Sequence, residues 1–186
     1  MINAYYLMVI SLTLKKIKII NVVIFFALSF LWHFVYDLIP NFFTAIFFPV
    51  NESIWEHMKI IFGVIIFGSL ISLILMQKFK IKHNNFYIEI ITKAILGVIF
   101  YLAIFIPLYN WLGENMFISI GLMLITYIVM EFIGYKILLL DDLNIKILPI
   151  ILIILSYILF VLLTFYPPHN TIFFDETILI YGIPEK

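Results

Sequence analysis

The chain has 186 residues, 65% of them hydrophobic and 12% charged, with a mean hydropathy of +1.19 and a formal net charge of zero. A soluble domain carries about 25% charged and about 45–50% apolar residues, so a water-soluble globule is excluded. Without a basic patch there is no case for a nucleic-acid partner. Without cysteine there are no disulfides and no thiolate ligands or nucleophiles.

Residues 1–14 open the chain with a short apolar segment. It is too short to cross a bilayer and lacks the basic flank of a signal peptide, so it reads as an interfacial segment or as a start codon taken too early. A crossing helix needs about 20 apolar residues for about 30 Å of hydrocarbon. Five stretches meet that need, at residues 17–38, 54–76, 87–109, 115–136 and 145–166. Pro40, Pro49, Pro107 and the pair Pro167 and Pro168 suit the loops and helix ends between them, and Pro149 falls in the first turn of the fifth stretch, where proline is tolerated. The aromatic run between Pro40 and Pro49 is too short to cross, and residues 41–50 read as a re-entrant or interfacial segment. The expected fold is an all-α integral membrane protein. A bundle of about five transmembrane helices occupies residues 15–166 of a multi-pass chain in a cell membrane, and residues 167–186 form a tail outside it.

Lysine placement predicts the orientation. Lys15, Lys16 and Lys18 precede the first helix, Lys78, Lys80 and Lys82 fill the second loop, Lys136 and Lys146 flank the fourth, and Lys93 lies just inside the third helix on the same side. Only Lys59 and Lys186 fall opposite. The N-terminus is therefore expected inside and the C-terminus outside. His83, among the loop lysines, reads as solvated.

Ionisable groups at membrane depth need a partner or a purpose. Lys93 and Glu131 are expected to form an interhelical structural pair, with Glu89 near the interface. At the opposite end, His33 and Asp37 lie one turn apart at the close of the first helix. The second helix opens with Asn51-Glu52-Ser53-Ile54-Trp55-Glu56-His57, and the fifth ends in Tyr166-Pro167-Pro168-His169. Ser53 and Glu56 also fit a capping box, and Trp32, Trp55 and Trp111 fit interfacial anchors. Capping accounts for none of the three histidines. Two or three His with a carboxylate is the ligand set favoured by zinc and related divalent metals. The candidate site is therefore His33, Asp37, Glu52, Glu56, His57 and His169. In it His33, His57 and His169 are metal ligands or acid–base groups, Glu52 or Glu56 activates water, and Asp37 orients His33.

The His33 end of the first helix, the run Phe48-Pro49-Val50-Asn51-Glu52-Ser53-Ile54-Trp55-Glu56-His57-Met58-Lys59 and the run Thr164-Phe165-Tyr166-Pro167-Pro168-His169 carry a resemblance. Together they resemble an uncharacterised family of small polytopic membrane proteins from low-GC Gram-positive bacteria. The likeness covers nearly the whole chain apart from residues 1–14, and it implies a polytopic fold in a bacterial cell membrane but no activity or cofactor. Residues 175–180 depart from the shorter ending of that family, which leaves the tail without an assigned role. Three functions compete. The first is a hydrolase or transferase acting on a lipid or lipid-linked substrate at the outer face. The second is a transporter, or transporter subunit, for a cation or small solute. The third is a non-enzymatic accessory or sensing protein.

Overall fold

A computed structural model describes residues 4–81, 84–113 and 115–184, with side chains from Ser11 onward. Lys82, His83 and Lys186 lie outside the described residues. The elements are α1 (Ala4–Leu38), α2 (Phe42–Phe47), α3 (Ile54–Lys78), α4 (Phe86–Leu112), α5 (Met116–Leu138), α6 (Ile147–Phe165), β1 (Phe174–Asp175) and β2 (Ile180–Tyr181). Five of the helices, all but α2, are long and apolar enough to cross a membrane. Inside hydrocarbon every backbone N–H and C=O must be paired within the protein, which a helix achieves by itself. Side chains close the starts of α2, α3 and α5. Asn41 accepts from the backbone N–H groups of Phe43 and Thr44 at the head of α2, and Asn115 accepts from those of Phe117 and Ile118 at the head of α5.

Two boundaries differ from the sequence expectation. Residues 4–14, expected to stand apart, are the opening turns of α1, and Leu14 is buried with Ile17, Met76, Ile81, Phe86 and Leu138. Pro107, expected at a helix end, lies inside α4, which continues for five residues to Leu112. A proline there leaves the Ala103 carbonyl without the N–H that would otherwise reach it.

α1, α3, α4 and α5 form a closed ring of neighbours, each packed on two others, and α6 attaches outside it through α2 and α4. Small residues let the ring close. The Trp32 ring lies over Gly63 and the Phe25 ring over Gly68, so near that a Cβ at Gly68 would stand 2.6 Å from Phe25 Cε1. Without a hydrophobic drive between helices in lipid, such close backbone approach is a main source of association. The α6 helix is held by aromatic contacts, with Phe160 packing on both Trp55 and Phe62.

An ionic cluster is buried at the lysine-rich end of the ring. Lys18 of α1 lies 2.6 Å from Glu89 of α4 and 3.2 Å from Glu131 of α5. Lys93 reaches the same two carboxylates, at 2.6 Å from Glu89 and in direct contact with Glu131. Asn21 donates to Glu131 and to Ser72, each at 3.0 Å. Two ammonium groups thus balance two carboxylates, all less than about 5% exposed. Lys18, expected ahead of the first helix, and Glu89, expected near the interface, both belong to this interior cluster, which is wider than a Lys93–Glu131 pair.

Candidate functional site

At the other end of the bundle, the run from Asn51 to His57 is a joint between the start of α3 and the tail. Asn51 donates through Nδ2 to the Gly182 carbonyl at 2.6 Å, and its Oδ1 accepts from the Ser53 N–H at 2.9 Å. The Trp55 N–H donates to the Ile172 carbonyl at 2.9 Å, and its ring lies between those of Phe160 and Phe173. Ser53 caps α3 by accepting from the Glu56 N–H at 3.3 Å. The reciprocal half of a capping box is not made, because the Glu56 side chain turns inward. Its carboxylate accepts from Thr164 Oγ1 at 2.6 Å and from the Val50 N–H at 3.1 Å, and lies 2.8 Å from Lys59 Nζ. Lys59 in turn donates to the Ala45 carbonyl at 2.8 Å. Buried and fully engaged, Glu56 welds α2, α3 and α6 together and is not free to activate water.

Two side chains of the run remain free of this scaffold, Glu52 and His57. They meet His33 of α1. His33 Nε2 lies 3.4 Å from Glu52 Oε1, and His57 Nε2 lies 3.3 Å from Glu52 Oε2. The two imidazoles are stacked, with centroids 5.4 Å apart. One ligand atom from each of the three residues lies within 4.8 Å of the other two. The remaining candidates lie elsewhere. His169 is exposed and stacks on Tyr181 at 4.5 Å, so the third member of the group is Glu52 in place of His169. Asp37 is exposed at the end of α1 and acts on His33 only through its charge. Trp32 and Trp55 are packed inside the joint, and Trp111 alone of the three tryptophans is exposed.

The charge state follows from the hydrogen bonds. His57 Nδ1 lies 2.9 Å from the Ser53 carbonyl oxygen, which only accepts, so Nδ1 carries the proton. Nε2 then faces Glu52 with a lone pair or with a second proton. The His57 contact holds the Glu52 carboxyl below its ordinary value despite partial burial, so Glu52 is ionised near neutrality. A lone pair facing an ionised carboxylate at this distance calls for a positive charge between or beside them, either a proton or a metal ion. A backbone carbonyl holding one imidazole nitrogen so that the other can ligate is the arrangement metal sites use.

The triad sits at the mouth of a cavity of about 330 Å³, within the range of small-ligand pockets. Phe30, Met58, Ile61, Phe105 and Met123 make its walls largely apolar. Its floor is near Ser29, whose hydroxyl lies 2.6 Å from that of the fully buried Tyr127. The tail supplies part of the rim through Thr171, Phe174, Glu176 and Thr177. It is ordered by Asp175, whose Oδ1 accepts from the Thr177 N–H and hydroxyl and whose Oδ2 accepts from the Glu52 N–H at 2.8 Å. The tail, left without a role by the sequence, therefore fixes the backbone of a triad residue. Asp175-x-Thr177 is the spacing of an Asx-turn and was the one available signal.

Fold and site together define a helical protein with five helices fit to span a membrane and two imidazoles and a carboxylate at the mouth of an apolar cavity. The chain belongs to the family of unknown function DUF6512, which it matches over residues 7–183. That match begins well before residue 15, so residues 7–14 belong to the family region. No curated protein and no solved structure matches the chain.

Proposed function

We propose that this protein is a membrane-embedded hydrolase or transferase that acts on a lipid or lipid-linked substrate, with His33, Glu52 and His57 holding a divalent metal ion such as zinc. The observation that carries the reading is the meeting of these three side chains, from α1, the α3 entry and α3, at the mouth of an apolar cavity. Tetrahedral zinc with ligands at about 2.0–2.1 Å places neighbouring ligand atoms roughly 3.4 Å apart; the Glu52 carboxylate comes that near each imidazole through a different oxygen, and one ligand atom from each of the three residues lies within 4.8 Å of the others. Three protein ligands leave a position for water or substrate, as catalytic zinc sites do. A bound ion of this kind would supply Lewis acidity and an acidified water. The chain's own residues do the rest. Ser53 sets the His57 tautomer, Asp175 fixes the Glu52 backbone, and the apolar walls receive the hydrophobic part of the substrate.

The lysine distribution supports placing this site at the extracytoplasmic face, and the resemblance of the motif-bearing runs supports a bacterial membrane. Transport is the weaker reading. Below Ser29 and Tyr127, the buried Phe25 ring packs on Tyr127 and lies under the Lys93 ammonium, filling the way to the ionic cluster. Metal analysis of the purified protein and its His57→Ala variant tests the proposal. Near-stoichiometric zinc-type metal in the first and its loss from the second is expected. No metal in either, or equal metal in both, would sink the metal site.

A further inference from the structure

α1 and α5 both wall the cavity, and side-chain bonds join them below it. α1 and α5 are joined from the lysine-rich end upward by Lys18 and Asn21 on Glu131, then by Ser29 on Tyr127. Above that last bond both helices line the cavity, α1 with Phe30, His33 and Phe34, α5 with Met116, Ser119, Ile120 and Met123. Phe30, Phe34 and Met116 are 42%, 52% and 64% exposed, so apolar side chains of both helices that line the cavity also face outward. The polar groups gather at the other limit of the cavity, and they include two carboxylates, Glu52 and Glu176, but no lysine among the described lining residues. With a divalent ion held at the triad, Glu52 and Glu176 balance its charge and no lysine adds to it, so the site offers an anionic headgroup no net attraction, whereas an uncharged one meets hydrogen-bonding Thr171 and Thr177. A volume at the low end of the pocket range suits one chain and not two.

We infer that the cavity binds a single-chain, uncharged acyl lipid of the monoacylglycerol type, which enters sideways from the bilayer between α1 and α5 and places its carbonyl region at His33, Glu52 and His57. This rests on reading the cavity mouth as the reacting end. The Ser29–Tyr127 bond is the floor against which the bound part of the chain stops.

The test uses the full chain in nanodiscs with an ether analogue of monoacylglycerol bearing a diazirine in its chain. The probe cannot be hydrolysed, so it reports binding without turnover. Crosslinks are expected on cavity-facing positions of α1 and α5 such as Phe30, Ile120 and Met123. Excess unlabelled monoacylglycerol should suppress them, and excess lysophosphatidic acid should not. Ser119→Trp, which fills the seam between α1 and α5, should abolish them, while His57→Ala should leave them in place. Labelling confined to lipid-facing positions such as Ile125 and Ile128, or labelling that no competitor reduces, overturns the inference. Equal competition by the phosphate-bearing lipid overturns the assignment of an uncharged headgroup. Competed cavity labelling in a protein that holds no metal would uphold the inference while removing the catalytic reading.

Discussion

The Asp175 carboxylate accepts the backbone N–H of Glu52 across 123 positions of sequence, at 2.8 Å, and so ties the C-terminal hairpin to the entry of α3. The same carboxylate holds the turn at Thr177 and Ile178, and Asp175 is 1% exposed. Asp175→Ala should leave several buried donors unpaired and lower stability by about 2–3 kcal/mol. Thermal unfolding in detergent, with limited proteolysis of the tail, measures this. A variant as stable as the parent, with a protected tail, would show that the bond does not hold the hairpin.

Acid should loosen the same joint. Burial pushes the Asp175 carboxyl up, but the Thr177 hydroxyl and the N–H groups of Glu52, Thr177 and Ile178 outweigh it and hold the group below its ordinary value. Glu52, the nearby charged group, is likewise held low. A carboxyl depressed in the folded state contributes stability above its unfolded pKa, about 3.9 for Asp, and that contribution fades as the pH falls through the folded value. Tail docking, followed by fluorescence of Trp55 between Phe160 and Phe173, should be level near neutrality and weaken below about pH 4. Asp175→Asn should remove most of that acid dependence.

Metal content separates the histidines. His33→Ala should lose bound metal, as His57→Ala should, whereas His169→Ala should keep it, because His169 stacks on Tyr181 away from the triad. Elemental analysis of the three variants, with circular dichroism to check their folding, decides the matter. Loss of metal in the His169 variant alone would point to a different ligand set.

The ionic cluster should be costly to break by halves. Glu131→Gln removes a charge shared by Lys18 and Lys93 and should cost about 3–5 kcal/mol, the range for an uncompensated buried charge. Replacing Lys93 by Met at the same time should restore part of that stability, since the remaining Lys18 and Glu89 still pair at 2.6 Å. Unfolding in mixed micelles gives the cycle. Simple additivity of the two changes would mean the groups act independently.

What was readable in the sequence divides along physical lines. The spans were legible because a helix that crosses lipid must be long and apolar, a constraint that acts on composition and length. The region of the site was legible because His33, Glu52 and His57 stand at helix ends that the topology brings together. Which members of the Asn51–His57 run face the cavity was not legible, since that depends on partners far along the chain. Glu56 is drawn away by Thr164 and Lys59, and Glu52 is left free because Asp175 takes its N–H and not its side chain. The reach of Lys18 into the core was hidden for the same reason. A lysine beside Lys15 and Lys16 looks like a flanking charge until Glu89 and Glu131 are placed beside it.

That reach has a consequence for how the protein is made. Lys18 and Asn21 leave the ribosome in α1, while their carboxylate partners arrive 71 and 110 positions later. Until α4 and α5 are in place, the first span carries a charge with no carboxylate to neutralise it, and an amide that Ser72 of α3 can engage but Glu131 cannot yet reach. Its final seat must therefore be taken late, after the membrane already holds the rest of the ring. Nascent chains arrested before Phe86 should expose Lys18 to a water-soluble amine reagent, and chains arrested after Leu138 should shield it.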